Sequence, residues 1–122
     1  MRIILADHHE HPRWALKTLI EEQPDFILVG EAVDSQGLLT LAGELVADLV
    51  LLDRELPGLF IDDLIARLHA LNPRPILVVM SSEIESGRRM LRAGADSFVS
   101  KSDQPDWMLE KLQHYAQQTE RR

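Results

Sequence analysis

Residues 49–58 read LVLLDRELPG, four apolar residues followed by Asp53 and, a little further on, the pair Pro57-Gly58. An uninterrupted apolar run is typical of a parallel strand that is covered on both faces. A proline–glycine pair marks a turn. Open parallel sheets hold their ligand sites at the carboxyl ends of their strands. We therefore predict that Asp53 ends a buried strand at the edge of the sheet where a ligand would bind.

The rest of the chain alternates short apolar runs with longer amphipathic stretches. Strands are predicted over 3–6, 26–29, 49–52, 76–80 and 97–99, and helices over 12–22, 35–46, 61–71, 83–93 and 106–118. This alternation predicts an α/β fold, an open parallel sheet with right-handed crossovers. We expect one domain over residues 1–118, with 119–122 as a polar tail or the start of a linker.

Composition limits the classes of function. The chain has 122 residues, is 45% hydrophobic and 27% charged, and has no cysteine, which excludes disulfide and thiolate chemistry. No apolar run approaches the roughly 20 residues of a membrane span, and no signal peptide is visible. A net charge of -7 argues against direct binding of a nucleic acid backbone. We expect a soluble, cytoplasmic domain that binds neither a membrane nor, by itself, a nucleic acid.

Polar residues follow four of the predicted strands. Asp7 follows the first strand, Asp53 the third, Ser81 the fourth and, after one more serine, Lys101 the fifth. Each has an ordinary structural explanation, as a turn cap, a helix cap or a solvated charge. If these strands are neighbours, however, two carboxylates, a lysine and a hydroxyl meet at one edge. Carboxylates suit Mg²⁺, and a lysine suits a phosphoryl group.

Several segments resemble the receiver domain of bacterial response regulators. The segment 51–58 resembles the family's phosphoacceptor segment, and 93–101 (AGADSFVSK) resembles the segment that leads to its lysine. Residues 29–32 and 7–9 resemble the subfamily whose parent proteins carry a C-terminal helix-turn-helix output of the LuxR/NarL type. The resemblance spans residues 2–118. It implies a flavodoxin-like sheet of order 2-1-3-4-5 with five helices on both faces.

The resemblance also implies roles for individual residues. Asp53 would be the phosphoryl acceptor, Lys101 would contact the phosphoryl group, and Phe98 would stand at the aromatic switch position. Asp7, Asp53 and the backbone carbonyl of Glu55 would hold Mg²⁺. These roles predict a signalling domain that is not an enzyme beyond its own phosphorylation and dephosphorylation.

Two positions depart from the family pattern. His8 stands where the family has a second acid that binds Mg²⁺ directly, and imidazole is a softer ligand than a carboxylate. The switch hydroxyl position falls on Met80 when Pro75 anchors the register, a choice that the length of the strand favours. A shift by one residue would place Ser81 there instead. We expect a weakened metal site and, with Met80, a weakened link from phosphorylation to the surface, because Met has no hydroxyl.

Two functions follow from the resemblance. In the first, a sensor histidine kinase or another phosphodonor phosphorylates Asp53, and the domain controls an output domain or a partner. The alternative is a degenerate receiver that acts as a phosphorylation-independent interaction module. A homodimer is compatible with either function, and an exposed Trp107 would suit its interface. DNA would be bound only through an output domain of a longer parent chain.

Other classes are less well supported by the residues. The run His8-His9-Glu10-His11 suggests a transition-metal site, if His8 and His11 share a helical face. Half of a cobalamin-binding motif is present at Asp7-His8-His9, but Pro12 occupies its glycine position. No G-x-G-x-x-G follows the first strand, which argues against dinucleotide binding.

Overall fold

The computed structural model describes residues 1–102 and 105–120, in which five strands alternate with five helices. The strands are β1 (Arg2–Ala6), β2 (Ile27–Ala32), β3 (Leu49–Asp53), β4 (Ile76–Ser81) and β5 (Ser97–Ser100). The helices are α1 (Glu10–Glu21), α2 (Ser35–Glu44), α3 (Ile61–His69), α4 (Ser86–Ala93) and α5 (Pro105–Glu120).

The strands form one parallel sheet in the order β2-β1-β3-β4-β5. This confirms the predicted fold class. The order makes β1 and β3 direct neighbours, with Ala6 opposite Leu52. The residues that follow these two strands therefore emerge side by side at the carboxyl edge of the sheet.

The sheet separates two apolar clusters, because successive residues of a strand point to opposite faces. Val50 and Leu52 pack on one face with residues of α2, α3 and α4. Leu49 and Leu51 pack on the other face with residues of α1 and α5. All four side chains are fully buried. Helices therefore cover both faces, as predicted.

Several element boundaries differ from the prediction. β2 begins at Ile27 and continues to Ala32, because Gly30 and Glu31 pair with β1 although neither residue signals a strand. α4 begins only at Ser86, and Gly87 lies within the helix. α5 continues to Glu120, two residues beyond its predicted end, so that the expected tail is helical at 119 and 120, while 121 and 122 lie outside the described residues.

None of the helices in the described ranges combines the length and the apolar character needed to cross a membrane.

Candidate functional site

Asp7 and Asp53 lie side by side at the carboxyl edge of the sheet. Asp53 is the last residue of β3, and Asp7 directly follows β1. Both are buried, with 0% and 1% of their surface exposed. Buried carboxylates require partners, since an isolated charge is strongly destabilising away from water. The partners therefore define the site.

Lys101 supplies the main counter-charge to both carboxylates. It follows β5, where its backbone N–H donates to the Ser81 carbonyl at 2.8 Å. Its Nζ lies 2.9 Å from Oδ2 of Asp7 and 2.8 Å from Oδ2 of Asp53. Strand order thus brings together three residues that the sequence separates by up to 94 positions.

The contacts between Lys101 and the carboxylates shift the pKa of Asp7 and the pKa of Lys101. Burial acts to raise the pKa of Asp7, but hydrogen bonds from Lys101 and the His9 backbone outweigh burial, and the pKa falls below its ordinary value. Burial acts to lower the pKa of Lys101, but hydrogen bonds to Asp53 and Asp7 outweigh it and raise that pKa. Asp7 is therefore ionised and Lys101 protonated at neutral pH.

His9 is a site residue that sequence reasoning missed. Its backbone N–H donates to Oδ1 of Asp7 at 2.9 Å, the turn that an aspartate commonly forms with the residue two positions on. This turn brings the ring back over the carboxylates. Nδ1 lies 3.2 Å from Oδ1 of Asp7 and 3.3 Å from Oδ2 of Asp53. The sequence signal for this turn was that His9 stands two residues after Asp7, the aspartate that follows β1.

His8 is exposed beside this group, and its ring lies 3.9 Å, centroid to centroid, from the ring of His9. The potential ligand atoms of Asp7, His8, His9 and Asp53 all lie within 4.8 Å of one another. His8 precedes α1, so it does not share a helical face with His11, and the less favoured alternative of a His8–His11 metal pair loses its basis. His11 instead lines a surface cavity of about 710 Å³ along α1.

The residues fit Mg²⁺ only in part. Two carboxylates are suitable ligands for a hard cation, and the backbone of Glu55 follows Asp53 closely, its N–H donating to Oδ1 of Asp53 at 3.0 Å. His8, however, offers nitrogen where the family offers a carboxylate. Moreover, Lys101 and His9 already contact the oxygens that a cation would bind.

Met80 and Ser81 point into different surroundings at the end of β4. Met80 is fully buried in the cluster shared with α1 and α5. Ser81 is 1% exposed, and its Oγ accepts the N–H of Glu83 at 3.0 Å. A hydroxyl therefore lies one residue beyond Met80, and which of the two positions acts as the switch stays a prediction.

Phe98 lies on the other face of the sheet from Met80. It pairs with Val79 across β4 and β5 and is partly buried against the cluster of α2, α3 and α4. Its ring packs against α4 at Gly87, where an added Cβ would lie 3.1 Å from a ring carbon. A change in the orientation of this ring would therefore be felt by α4.

Arg54 links the two loops beside the carboxylates and was not singled out from the sequence. Its Nη1 donates to Oε2 of Glu83 at 2.9 Å and to Oγ of Ser86 at 2.8 Å. No sequence signal could have found this contact, because the partners are 29 and 32 residues away.

Comparison with known families identifies the class of this fold and site. The profile described as "Response regulator receiver domain" matches residues 3–113. The chain belongs to this family, as the domain that receives the signal in two-component regulators.

Curated relatives of this chain include transcriptional regulators. It is 33% identical over 116 residues to the nitrate/nitrite response regulator protein NarL of Escherichia coli K12, covering 93% of this chain and 54% of NarL. It is 31% identical over 104 residues to the transcriptional regulatory protein LiaR of Bacillus subtilis, covering 84% of this chain and 49% of LiaR. The chain thus spans about half the length of these curated relatives.

Solved structures agree on the fold. A LuxR-family response regulator from Aurantimonas sp. SI85-9A1 superposes with a TM-score of 0.84 at 25% identity, covering 94% of this chain and 84% of that one. The response regulatory domain of mrkE from Klebsiella pneumoniae superposes with a TM-score of 0.89 at 20% identity over the full length of both chains.

Proposed function

We propose that this receiver domain accepts a phosphoryl group on Asp53 and thereby controls an output domain or a partner protein. One observation carries the proposal: the buried Asp53 carboxylate ends β3 with the Lys101 ammonium 2.8 Å away. Phosphoryl transfer demands little covalent work from a protein beyond positioning and neutralisation of charge. A carboxylate held beside a fixed cation meets both demands.

The transfer uses Asp53 as the nucleophile. A carboxylate oxygen attacks the phosphorus of the donor, the new O–P bond forms, and the bond between phosphorus and donor breaks, with its electron pair leaving on the donor. The Glu55 N–H orients the carboxylate through Oδ1, and Lys101 neutralises charge on the phosphoryl oxygens. A bound Mg²⁺, held by Asp7, Asp53 and the Glu55 carbonyl, would neutralise the same charge, weakly if His8 is a poor ligand.

Signalling follows from the change of charge at Asp53. A phosphoryl group there competes for Lys101, which otherwise bridges Asp7 and Asp53. Ser81, one residue beyond Met80, and Phe98 of β5, whose ring packs against α4, are the neighbouring groups through which the change would reach the surface.

The proposed function requires a phosphodonor and an output domain or partner protein. A sensor histidine kinase or a small phosphodonor would supply the phosphoryl group in the cytoplasm. DNA would be reached only through an output domain of a longer parent chain. The RcsB of Salmonella enterica, of which this chain covers 60%, was solved bound to a promoter. A homodimer would use exposed apolar groups, among which Trp107 is 58% exposed.

The proposal is tested by the intact mass of the folded protein after incubation with Mg²⁺ and acetyl phosphate. We expect a gain of one phosphoryl group in the wild type and none in Asp53→Asn. Asp62→Asn, which changes an exposed aspartate of α3, serves as the matched control and should gain the group as the wild type does.

A phosphorylation-independent interaction module is the second candidate, favoured by one observation. Lys101 and His9 already contact both carboxylates, so side chains of this chain already neutralise part of the negative charge of the pocket. Absence of any adduct with Mg²⁺ or Mn²⁺ in folded wild-type protein would favour this candidate and contradict the first.

A further inference from the structure

We propose that this pocket selects a divalent ion that accepts nitrogen ligands, such as Zn²⁺ or Co²⁺, in preference to Mg²⁺, through His8 and His9 together with Asp7 and Asp53. The proposal concerns the pocket of the proposed function and rests on it for the location of the site. Ion binding is nevertheless measured without a phosphodonor, so the two proposals can fail separately.

The spacing of three ligand atoms supports the proposal. Nδ1 of His9 lies 3.2 Å from Oδ1 of Asp7 and 3.3 Å from Oδ2 of Asp53. Without an ion, the contact with Asp7 is a hydrogen bond at the long end of the usual range of about 2.7–3.2 Å. Both separations match the roughly 3.3 Å that separates ligand atoms around a tetrahedral ion with bonds of about 2.0–2.1 Å. The His9 nitrogen thus already lies at the ligand spacing of such a site from one oxygen of each carboxylate.

His8 can supply the fourth corner. Its ligand nitrogen belongs to the same group, in which no separation exceeds 4.8 Å. A nitrogen at that 4.8 Å limit would have to move by about 1.5 Å to reach a ligand spacing of about 3.3 Å, and the exposed His8 ring can rotate. Two imidazoles and two carboxylates form a ligand set that suits an ion of borderline softness rather than Mg²⁺.

The charges of the pocket are compatible with this ion. Two carboxylates balance a divalent charge when both imidazoles bind as neutral ligands. Lys101, which holds the same carboxylates, has 18% of its side chain exposed and can move toward solvent when the ion enters. Mg²⁺ would have to displace the same lysine for the two carboxylates alone, because the imidazole nitrogens are poor ligands for this ion.

The test must measure selectivity and not affinity alone, because most sites bind Zn²⁺ more tightly than harder ions. Zn²⁺ is titrated in competition with a chromophoric chelator, Mg²⁺ by calorimetry, and Co²⁺ by its visible spectrum. We expect the wild type to bind one Zn²⁺ and to give the intense visible bands of four-coordinate Co²⁺. His9→Gln should weaken Zn²⁺ binding by about 10–100-fold.

His8→Asp is the decisive variant because it restores the acid at an exposed position. We expect it to lower the ratio of Zn²⁺ to Mg²⁺ affinity at least about 10-fold. His11→Gln, a neighbouring exposed histidine outside the group, is the matched control and should bind as the wild type does. An unchanged ratio in His8→Asp, or an equal loss of Zn²⁺ binding in His9→Gln and His11→Gln, would overturn the proposal.

Discussion

Lys101 balances two buried carboxylates from a single position. Its ammonium is shared between Asp7 and Asp53 at 2.9 and 2.8 Å, while His9 contacts the same pair from the solvent side. Under the proposed function, this lysine meets the phosphoryl group. In the unphosphorylated state the same lysine is what allows two acids to remain buried.

Replacing Lys101 with Met should destabilise the domain. We expect the free energy of unfolding at pH 7 to fall by about 1–3 kcal/mol, because two buried carboxylates lose their common hydrogen-bond donor while His9 still contacts both. Lys17→Met removes only the exposed pairs with Glu21 and Glu31 and should cost less than about 1 kcal/mol. Urea unfolding of the three proteins measures both values.

The difference in the free energy of unfolding between the wild type and Lys101→Met should become smaller toward both acid and alkaline pH. The lowered pKa of Asp7 stabilises the fold above its ordinary value of 3.8, and this contribution is lost as pH falls through the lowered pKa. The raised pKa of Lys101 stabilises the fold below 10.5, and this contribution is lost as pH rises through the raised pKa. A difference in stability that grew toward either extreme would contradict the assignment.

At the scale of elements, loops and helix ends hold the site in place. Arg54 ties the turn after β3 to the start of α4 through Glu83 and Ser86. The end of α4 is set by Gly94, which adopts φ 116° and leads the chain into β5 and Lys101. The Arg54 contacts at the start of α4 and the Gly94 turn at its end both position this helix, against which Phe98 packs.

Gly94→Ala should be clearly destabilising, by roughly 1–3 kcal/mol. Its φ of 116° is unfavourable for a residue with a side chain, and an added Cβ would lie 2.7 Å from a ring carbon of His69. Gly43→Ala is the matched control, since nothing lies within 4 Å of its Cβ and it sits within α2. The control should instead stabilise by about 0.5–1 kcal/mol. Thermal or urea unfolding of both variants would show the opposite signs.

At the scale of the whole molecule, one sheet supports two separate apolar clusters. Ile65 of α3 belongs to one cluster and Ile20 of α1 to the other, and both are almost fully buried. Because β1, β3 and β4 contribute residues to both faces, loss of either cluster should unfold the whole sheet.

Ile20→Val and Ile65→Val test this cooperativity. Each should lower the free energy of unfolding by about 0.5–1.5 kcal/mol, and the double variant by the sum within about 0.5 kcal/mol, because the two sites lie on opposite faces. Urea unfolding followed by circular dichroism should keep a single transition. Two transitions in any variant would mean that the faces unfold independently.

Local patterns were sufficient to predict the sheet and the residues at its strand ends. The apolar runs predicted all five strands and put Asp7, Asp53 and Lys101 just after strands. That they meet at one edge followed from the strand order, which the family resemblance implied and the structure has. The extension of β2 through Gly30 and Glu31 was not predictable, because it comes from pairing with β1 and not from strand propensity. The late start of α4 likewise depends on contacts rather than on periodicity.

The sequence by itself therefore determined the α/β class and the polar residues at the strand ends, since both depend on residue type and on spacing along the chain. Only the tertiary structure decided that His9 faces both carboxylates, that Lys101 bridges them, and that Arg54 ties two loops together. The physical reason is distance along the chain. Contacts between groups many residues apart depend on strand order and side-chain direction, which no local pattern encodes.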